Sequence, residues 1–381
     1  DFACNGSAWL NCYGIWTRER EKKGTVKRMS LKVDIQKKFK GFTLDIRFEN
    51  RGEGALGILG ASGCGKSMTL KCIAGIETPD RGKIILNDQV LFDSEKRINR
   101  KPQERRVGYL FQDYALFPNM TVEQNVACAA RRPKRERGAY AAGLIKRFGL
   151  AGQEKKYPSQ LSGGQKQRTA LARIMANEPE VLLLDEPFSA MDAYLREQLL
   201  LRLEEILEEY DGDTILVTHS RDEVYRACKR LLIMDAGQAV CKGETKKIFE
   251  KPEYFYAARV TGCKNLSPAR RISDHELEAL DWGVRLKTAD PVSADTSFVG
   301  IRAHYFYAPE PGQREENVFC PVQARVSEAP FEENVIFYTE ASRKQDKEIW
   351  WKLDKETWEK HLGGIVPARI CVKPEDILVL R

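Results

Sequence analysis

The sequence predicts an α/β fold built on a parallel sheet, followed by a small antiparallel β-barrel. Three observations favour this fold class. A glycine-rich loop at residues 60–67 stands between an apolar run and a helical segment. A second apolar run at 181–184 is continuous, which is typical of a parallel strand covered on both faces. Residues 297–372 contain short alternating segments separated by turn residues, which is typical of a barrel.

The length and composition describe a globular protein with more than one domain. The chain has 381 residues, of which 42% are hydrophobic and 31% are charged, so it can bury a sizeable core. Its 62 basic and 55 acidic residues give a formal net charge of +7, which is mild for this length, and we expect no nucleic-acid partner. The sequence contains no run of about 18 apolar residues, so we expect that it does not span a bilayer by itself.

The cysteines and the first 28 residues set two further expectations. The ten cysteines are scattered without a Cys-x-x-Cys pair, which favours free thiols in a reducing cytoplasm over disulfides or a zinc site. Residues 1–28 carry Trp9, Tyr13 and Trp16 before a basic stretch, an order that does not fit a secretory signal. An amphipathic membrane-surface helix is one interpretation. We expect instead a leader outside the fold, with Met29 as the natural start.

Residues 60–67, the phosphate loop, carry the phosphate-binding pattern of two glycines separated by four residues and followed by lysine and serine. Backbone N–H groups of such a loop turn inward onto phosphate oxygens, and the helix that follows adds a partial positive charge. Lys66 would reach the outer phosphates, and the Ser67 hydroxyl would bind magnesium. The residues predicted to hold the nucleotide here are Gly60, Ala61, Ser62, Gly63, Cys64, Gly65, Lys66, Ser67 and Met68.

Strand signals flank the phosphate loop. Residues 31–35 and 42–48 alternate between apolar and polar side chains, which predicts two strands. Phe39 lies between them, and an aromatic residue close upstream of a phosphate loop can stack on an adenine ring, although a place in the core fits it equally. After the loop, Asn87 and Asp88 predict the turn of a hairpin.

Exposed, apolar and helical segments then follow one another. Residues 93–106 are charged and predict a solvated connection, and the next apolar run predicts a strand that ends at Gln112. From about 113 to 165 the signals are helical, with Thr121 as a candidate N-cap, which predicts a helical subdomain inserted into the α/β domain. The segment from Tyr114 to Met120 is unusually apolar for a loop, so it either meets a partner protein or is buried.

Polar residues follow two predicted strands in the second half of the domain. The run 181–184 delivers Asp185 and Glu186 to the C-terminal end of a strand, where ligands collect in open α/β sheets. The strand at 214–218 ends at His219 in the same way.

The pattern of the sequence changes near residue 262, after which short strand signals separated by turn residues dominate. We therefore expect an α/β domain over 29–262 and a β-barrel domain over 263–381. The strands predicted in the barrel are 297–303, 318–326, 334–339, 348–353 and 368–372.

In this order, the motifs closely resemble the ATP-binding cassette of ABC transporters, which implies a P-loop NTPase fold. The most specific mark is the signature segment, residues 161–165, which reads Leu-Ser-Gly-Gly-Gln. It precedes the apolar strand predicted at 181–184. The resemblance covers roughly residues 30–262. Gln112, Phe39 and residues 189–192 match the positions of the family's Q-loop, adenine-stacking aromatic and D-loop.

The resemblance implies a mechanism for ATP hydrolysis. Asp185 would hold magnesium through the water shell of the ion, together with Ser67 and Gln112, and Gln112 would also contact the lytic water. Glu186 would act as general base or orient that water, and His219 would contact the γ-phosphate. Since one cassette is present, the chain is expected to work as a head-to-tail homodimer with two ATP molecules. The residues implied to complete the nucleotide sites in these segments are Ser162, Gly163, Gly164, Gln165 and Asp192.

The resemblance also implies partners and a location. We expect a peripheral subunit on the cytoplasmic face of the membrane, docked on separate permease subunits near Tyr114 to Met120 and working with a periplasmic or extracellular solute-binding protein. The C-terminal barrel is like that of importers, where it serves regulation. The sequence segments 90–94, 105–112 and 261–265 look most like those of molybdate importers. Import of sulfate, iron, a polyamine or a sugar stays open. Residues 266–381 lack a clear oxyanion-binding motif, so direct molybdate sensing there is not expected.

Two other classes of protein are alternatives. One is a non-transport cassette ATPase that acts on ribosomes or nucleic acid, but such chains normally carry two cassettes or coiled-coil or zinc insertions. The other is a binding module with a vestigial ATPase. The intact Lys66, Asp185, Glu186 and His219 count against it.

Overall fold

The computed structural model describes residues 30–189, 191–310, 312 and 315–381. Three sequence predictions lie outside the described residues: the leader at 1–28, the natural start at Met29, and Ala190 at the D-loop position. The described helices are α1 (Lys66–Ala74), α2 (Val122–Ala129), α3 (Arg137–Arg147), α4 (Gly163–Ala176), α5 (Ala193–Glu209), α6 (Arg221–Ala227), α7 (Thr245–Glu250), α8 (Phe255–Val260) and α9 (Glu340–Lys344).

The strands fall into two groups along the chain. The first group is β1 (Leu31–Phe39), β2 (Phe42–Asn50), β3 (Leu56–Leu59), β4 (Arg81–Leu86), β5 (Gln89–Asp93), β6 (Ile98–Asn99), β7 (Val107–Leu110), β8 (Val181–Asp185), β9 (Asp213–Val217), β10 (Arg230–Asp235) and β11 (Gln238–Glu244). The second group is β12 (Asn265–Ser273), β13 (Glu276–Ala279), β14 (Val284–Lys287), β15 (Phe298–Ile301), β16 (Gln323–Glu328), β17 (Glu332–Tyr338), β18 (Ile349–Asp354) and β19 (Ile377–Leu380).

The first group forms one sheet with a parallel half and an antiparallel half. In the described part of the chain its order is β6-β5-β4-β1-β2-β11-β10-β3-β9-β8-β7. Strands β10, β3, β9, β8 and β7 are parallel neighbours, whereas β1, β2, β4, β5 and β6 pair antiparallel. The sheet therefore combines a parallel α/β core with an antiparallel extension.

The parallel strands are covered on both faces. Every residue of β8 and β9 is buried. Because side chains alternate along a strand, Leu182 and Leu184 face one hydrophobic core and Val181 and Leu183 face another. The first core is shared with α2–α6 and the second with α1, β1 and β2. This double coverage explains the uninterrupted apolar run in the sequence.

The predicted turn and helix cap are confirmed. Asn87 and Asp88 have φ of 50° and 68°, the left-handed pair that a two-residue hairpin turn requires. Thr121 is the N-cap of α2, where its hydroxyl accepts a hydrogen bond from the Gln124 N–H at 3.3 Å. Helices α2, α3 and α4 pack together as the helical insertion.

The prediction of a solvated connection over 93–106 is wrong at Arg105. This side chain is fully buried, and its guanidinium donates to the carbonyls of Cys72 and Ile73 in the last turn of α1, at 2.9 and 2.8 Å. A cation at the C-terminus of a helix satisfies carbonyls that have no partner within the helix. The connection also contains β6, so it belongs to the fold.

The C-terminal region is antiparallel throughout its described strands. They form a five-stranded sheet, β14-β13-β12-β15-β19, and a three-stranded sheet, β16-β17-β18. Aromatic side chains, including Trp282, Phe306, Phe319 and Phe337, fill the core of this region. The predicted α/β domain followed by a small curled antiparallel β domain is confirmed.

The strand list in this region differs from the prediction. Strands β12–β14 and β19 were not predicted, and residues 368–372 make only isolated bridges, at Ile370 and Cys371. Strand β12 contains Pro268, which weakens a strand signal because proline has no N–H to donate. Among the described residues, no helix combines the length and the apolar character that crossing a bilayer requires.

Candidate functional site

Four neighbouring parallel strands end at one edge of the large sheet. Strand β3 leads into the phosphate loop, β9 into Thr218 and His219, β8 into Glu186, and β7 into Gln112. Because the carboxyl ends of parallel strands meet at the same edge, segments that are distant in sequence are brought together there. This edge is the candidate site.

The phosphate loop has the backbone that its glycines permit. Gly63 and Gly65 have φ of 79° and 103°, a region that residues with a side chain rarely adopt. A Cβ on Gly60 would lie 2.2 Å from the carbonyl oxygen of Met234, so a side chain there would clash with backbone. Lys66 is buried, and its ammonium donates to the carbonyls of Gly60 and Ala61 at 2.8 and 2.9 Å. The lysine is thus held against the inside of the loop.

Cys64 has a packing role in this loop. Its side chain is buried, and burial raises the pKa of its thiol. A thiol with a raised pKa is a poor nucleophile. The Cys64 carbonyl accepts a hydrogen bond from the Gly237 N–H at 3.1 Å, which fastens the loop to the turn between β10 and β11.

The Ser67 hydroxyl and the Asp185 carboxylate are hydrogen-bonded to each other, so their oxygens lie close enough to serve one magnesium ion. The Ser67 hydroxyl donates to Asp185 Oδ1 at 2.7 Å, and Tyr109 Oη donates to Asp185 Oδ2 at 2.7 Å. Burial, together with this bond to the carboxylate, raises the pKa of Tyr109, so the phenol stays protonated as a donor. Sequence reasoning missed Tyr109, because its position beside Asp185 depends on the pairing of β7 with β8.

Glu186 has a strained backbone beside His219. Its φ is 45°, unusual for a residue with a side chain, and its N–H donates to the Val217 carbonyl at 2.9 Å. His219 Nδ1 lies 3.6 Å from Glu186 Oε2. The His219 side chain is 59% exposed and that of Glu186 is 25% exposed, so both can meet a ligand from solvent.

A second carboxylate lies behind this pair. The Thr218 hydroxyl donates to Glu223 Oε2 at 2.6 Å, and burial raises the pKa of Glu223. Glu223 is almost fully buried, so it supports the loop before α6 instead of facing solvent.

Gln112 is connected to Glu186 through Ser189. Gln112 Nε2 donates to Ser189 Oγ at 3.2 Å, and that hydroxyl donates to the Glu186 carbonyl at 3.1 Å. The Q-loop and D-loop positions therefore touch at the site edge.

Phe39 lies at the end of β1, half-buried beside Phe42, with ring centroids 5.9 Å apart. Phe42 packs against the phosphate loop, since a Cβ on Gly65 would lie 2.8 Å from its Cζ atom. Sequence reasoning singled out Phe39 and missed Phe42. The half-exposed Phe39 ring is available for stacking and also contributes to the core.

The signature segment and Asp192 begin two helices. Ser162 is the N-cap of α4 and Asp192 the N-cap of α5, each accepting from a backbone N–H in the first turn. Gly164 is packed against Leu195. Among the described residues, no hydrogen bond or ion pair joins these caps, or Gly163 and Gln165, to the phosphate loop. The predicted site residues thus form two separate groups on one chain. The first group lies at the ends of the parallel strands, and the second lies at the starts of α4 and α5.

The segment from Tyr114 to Met120 combines both predicted environments. Tyr114 is buried, whereas Phe117 is 47% exposed. Arg173 of α4 donates to the Ala115 carbonyl at 2.7 Å, and its guanidinium lies 5.2 Å from the Phe117 ring centroid. One face of the segment is therefore anchored and the other is presented to solvent.

The donor set at this edge fits magnesium. Ser67 and Asp185 offer oxygen ligands, and the amide of Gln112 offers another, which is the chemistry that a hard divalent cation prefers. Within the described residues, no cluster of three or more histidine, cysteine, aspartate or glutamate side chains could hold a metal by itself. This edge therefore fits an ion that takes further oxygens from a phosphate.

Comparison with known proteins gives consistent matches over the α/β domain. Residues 44–189 match the family described as "ABC transporter". The sulfate/thiosulfate import ATP-binding protein CysA of Gloeobacter violaceus is 40% identical over 63% of this chain and 70% of its own length. The putrescine transport ATP-binding protein PotG of Escherichia coli is 41% identical over 55% of each chain.

A solved structure has the same fold over this part. It is cbiO1 from Clostridium perfringens, described as part of the ABC transporter complex cbiONQ. It superposes with a TM-score of 0.51 and 29% identity, over 57% of this chain and 90% of that one.

Proposed function

The chain belongs to the importer-type ATP-binding proteins of ABC transporters and is an ATPase, and on that premise we propose how its residues act and what hydrolysis drives. The observation that carries the proposal is the direct bond from Ser67 to Asp185, with Glu186 and His219 next to it. These groups bring a magnesium-binding pair, a base and a phosphate contact to one sheet edge.

Each residue of the first group has a separate task. Ser67, Asp185 and Gln112 would hold Mg²⁺, which supplies charge neutralisation on the phosphate oxygens. Lys66 leaves the loop carbonyls to donate to the outer phosphates of ATP, and the backbone N–H groups of residues 60–67 bind the remaining oxygens. Phe39 offers a ring face for the adenine.

Glu186 and His219 complete the chemistry. The Glu186 carboxylate accepts a proton from the attacking water, or orients that water in line with the γ-phosphate. His219, within 3.6 Å of that carboxylate, donates to a γ-phosphate oxygen. Gln112 is connected to Glu186 through Ser189, so a movement at Gln112 reaches the base.

We propose that the second group acts in a partner copy. Ser162, Gly163 and Asp192 are exposed at the starts of helices, and the α4 N-terminus is suited to a phosphate. In a head-to-tail homodimer, the group Ser162, Gly163, Gly164, Gln165 and Asp192 of one copy would close over the ATP of the other. Two ATP molecules would then lie at the shared interface.

Hydrolysis would drive import through a separate permease. The exposed ring of Phe117, on a segment anchored by Arg173, is the surface that we propose docks on permease subunits at the cytoplasmic face of the membrane. A solute-binding protein outside the membrane would deliver the solute. The C-terminal β domain would serve regulation.

We propose sulfate or thiosulfate as the solute, with a polyamine as the second candidate. The Gloeobacter relative supports the first and the Escherichia coli relative the second. Sulfate and polyamine import were both open alternatives in the sequence analysis, and they replace molybdate, which neither of these two relatives supports.

Phosphate release from MgATP tests the proposed activity. The purified chain is expected to release inorganic phosphate from ATP, and chelation of magnesium with EDTA is expected to stop it, because Ser67 and Asp185 then have no metal to share. Release at the same rate in EDTA would contradict the metal assignment. No release in excess magnesium would contradict the assignment of the site.

Uptake by bacterial strains that lack the ATP-binding subunit of one importer tests the solute. In a strain deficient in sulfate import, this chain is expected to restore uptake of radiolabelled sulfate, and Glu186→Gln is expected not to. Restoration of putrescine uptake alone, in the corresponding strain, would favour the second candidate over the first.

A further inference from the structure

The peptide group between Gly60 and Ala61, in the phosphate loop, is held from two sides. Its carbonyl, that of Gly60, accepts from the Lys66 ammonium at 2.8 Å, and its N–H, that of Ala61, donates to Tyr256 Oη at 3.0 Å. Lys66 must leave this carbonyl when it turns to phosphate oxygens. The bond to Tyr256 does not have to break at that step, so it is the contact that can keep the peptide in place.

Tyr256 comes from a distant part of the chain. It lies on α8, 195 residues after Ala61, and is only 8% exposed. The guanidinium of Arg259 lies 4.9 Å from the centroid of the Tyr256 ring, on the same helix. The phenol is therefore fixed by packing, and its hydroxyl is aimed at the loop.

Helix α8 is also bonded to the C-terminal β domain. The Phe255 ring lies 4.4 Å, between centroids, from the Phe298 ring on β15. The Phe255 N–H donates to the Arg381 carbonyl at 2.9 Å, and the Arg381 N–H donates to the Glu253 carbonyl at 2.9 Å. Adjacent residues of one short helix therefore touch the phosphate loop and the β domain.

A buried arginine strengthens this junction. Arg302 follows β15, and its guanidinium donates to the carbonyls of Thr261, at 3.2 Å, and of Phe249. Arg302 is 8% exposed, so these bonds are shielded from water. A shift of β15 would be transmitted to α7 and to the residue that follows α8, which lie before and after Tyr256 in the chain.

We propose that Tyr256 is a positioning residue for ATP, through which the C-terminal β domain sets the affinity of the phosphate loop. This inference rests on the proposed function of the loop. The Tyr256 hydroxyl fixes the peptide between Gly60 and Ala61 with the Gly60 carbonyl toward Lys66 and the Ala61 N–H away from the ligand. Without the hydroxyl, the peptide can rotate, and part of the binding energy of ATP is used to order it again.

Tyr256→Phe tests the first half of the inference, since it removes one oxygen and keeps the ring. The dissociation constant for ATP, measured in EDTA to prevent turnover, is expected to rise about fivefold, which corresponds to roughly 1 kcal/mol. The value of kcat at saturating MgATP is expected to stay within twofold, and Tm within about 2 °C. A purely structural role would lower Tm without this separation of affinity from turnover.

Tyr254→Phe is the matched control. Tyr254 is the half-buried N-cap residue of the same helix, and its hydroxyl makes no hydrogen bond to the described residues. Its loss is expected to leave ATP affinity unchanged. A dissociation constant for Tyr256→Phe within twofold of wild type overturns the proposal, and so does a rise that Tyr254→Phe matches.

A double-mutant cycle tests the link to the β domain. Phe298→Leu loosens the ring contact with Phe255, and is expected to raise the dissociation constant about threefold in the wild-type background but not further in Tyr256→Phe. Phe331→Leu, at a side chain 86% exposed in the same domain, is the control and is expected to have no effect. Additive effects of Phe298→Leu and Tyr256→Phe overturn the link.

The outcomes separate this inference from the proposed function. If the wild-type chain does not bind ATP, both are wrong. If it binds ATP and Tyr256→Phe binds equally well, only the inference about Tyr256 is wrong.

Discussion

The candidate site and the C-terminal β domain use the same residue types in opposite surroundings. At the site, Tyr109 donates to Asp185, and both are nearly buried. In the β domain, Tyr338 donates to Glu348 at 3.3 Å on the exposed side of a sheet. Exposed polar pairs contribute little to the free energy of folding, because water competes for their hydrogen bonds. Burying a polar pair costs desolvation free energy, so a buried pair points to a role beyond stability.

The lysines show the same contrast. Lys66 is 5% exposed and is held by two loop carbonyls, whereas the side chain of Lys344 in the β domain is 71% exposed and paired with Glu340 one helical turn away. For Lys66, Asp185 and Tyr109, burial at the ends of parallel strands, and not residue type, is what separates the proposed site from the β domain. Matched substitutions in the two regions test this contrast.

The largest difference is expected between Glu186→Gln and Glu340→Gln. Loss of the Glu186 carboxylate would remove the group proposed to accept a proton from the attacking water or to orient it, so phosphate release is expected to fall by about 100-fold or more. Glu340 lies on an exposed helix, and its amide variant is expected to retain the wild-type rate. Equal rates in the two variants would remove Glu186 from the mechanism.

Lys66→Ala and Lys344→Ala are expected to differ in ATP affinity. Lys66 would make charge-assisted hydrogen bonds to phosphate, and their loss is expected to raise the dissociation constant for ATP about 10- to 100-fold. Lys344→Ala is expected to bind ATP like wild type. Calorimetric titration measures both, and wild-type affinity in Lys66→Ala would refute the role of that lysine.

A smaller difference is expected between Tyr109→Phe and Tyr338→Phe. The Tyr109 hydroxyl orients Asp185, so its loss is expected to raise about fivefold the magnesium concentration that gives half-maximal phosphate release. Saturating magnesium is expected to restore most of the rate. The Tyr338 variant is expected to keep the wild-type magnesium dependence, and an unchanged magnesium dependence in Tyr109→Phe would argue for packing alone.

The groups that a local motif defines could be predicted from the sequence. The phosphate loop, Asp185, Glu186 and His219 stand at fixed distances from strand ends, so their spacing predicts their meeting. The cap at Thr121 could be predicted for the same reason, because a cap depends on only a few neighbouring residues.

The groups that depend on tertiary register could not be predicted. Tyr109 reaches Asp185 only because β7 pairs with β8, and Arg105 reaches the end of α1 across the core. Tyr256 contacts Ala61 from 195 residues away. In local sequence context, Tyr109 and Tyr256 do not differ from ordinary core residues, and Arg105 does not differ from its exposed charged neighbours.

The β domain was the harder region for a related reason. Strand β12 contains Pro268, and the short β19 has no alternation because all but one of its residues are buried. Its strands are defined by pairing across the two sheets and not by local pattern.

The most direct test of the central claim is the molar mass of Glu186→Gln with and without ATP, measured by light scattering in solution. If two copies close over two ATP molecules through Ser162, Gly164 and their neighbours, blocked hydrolysis should trap the pair, and the mass should double when MgATP is added. A mass that stays that of a single chain, in a variant that demonstrably binds ATP, would contradict the shared site.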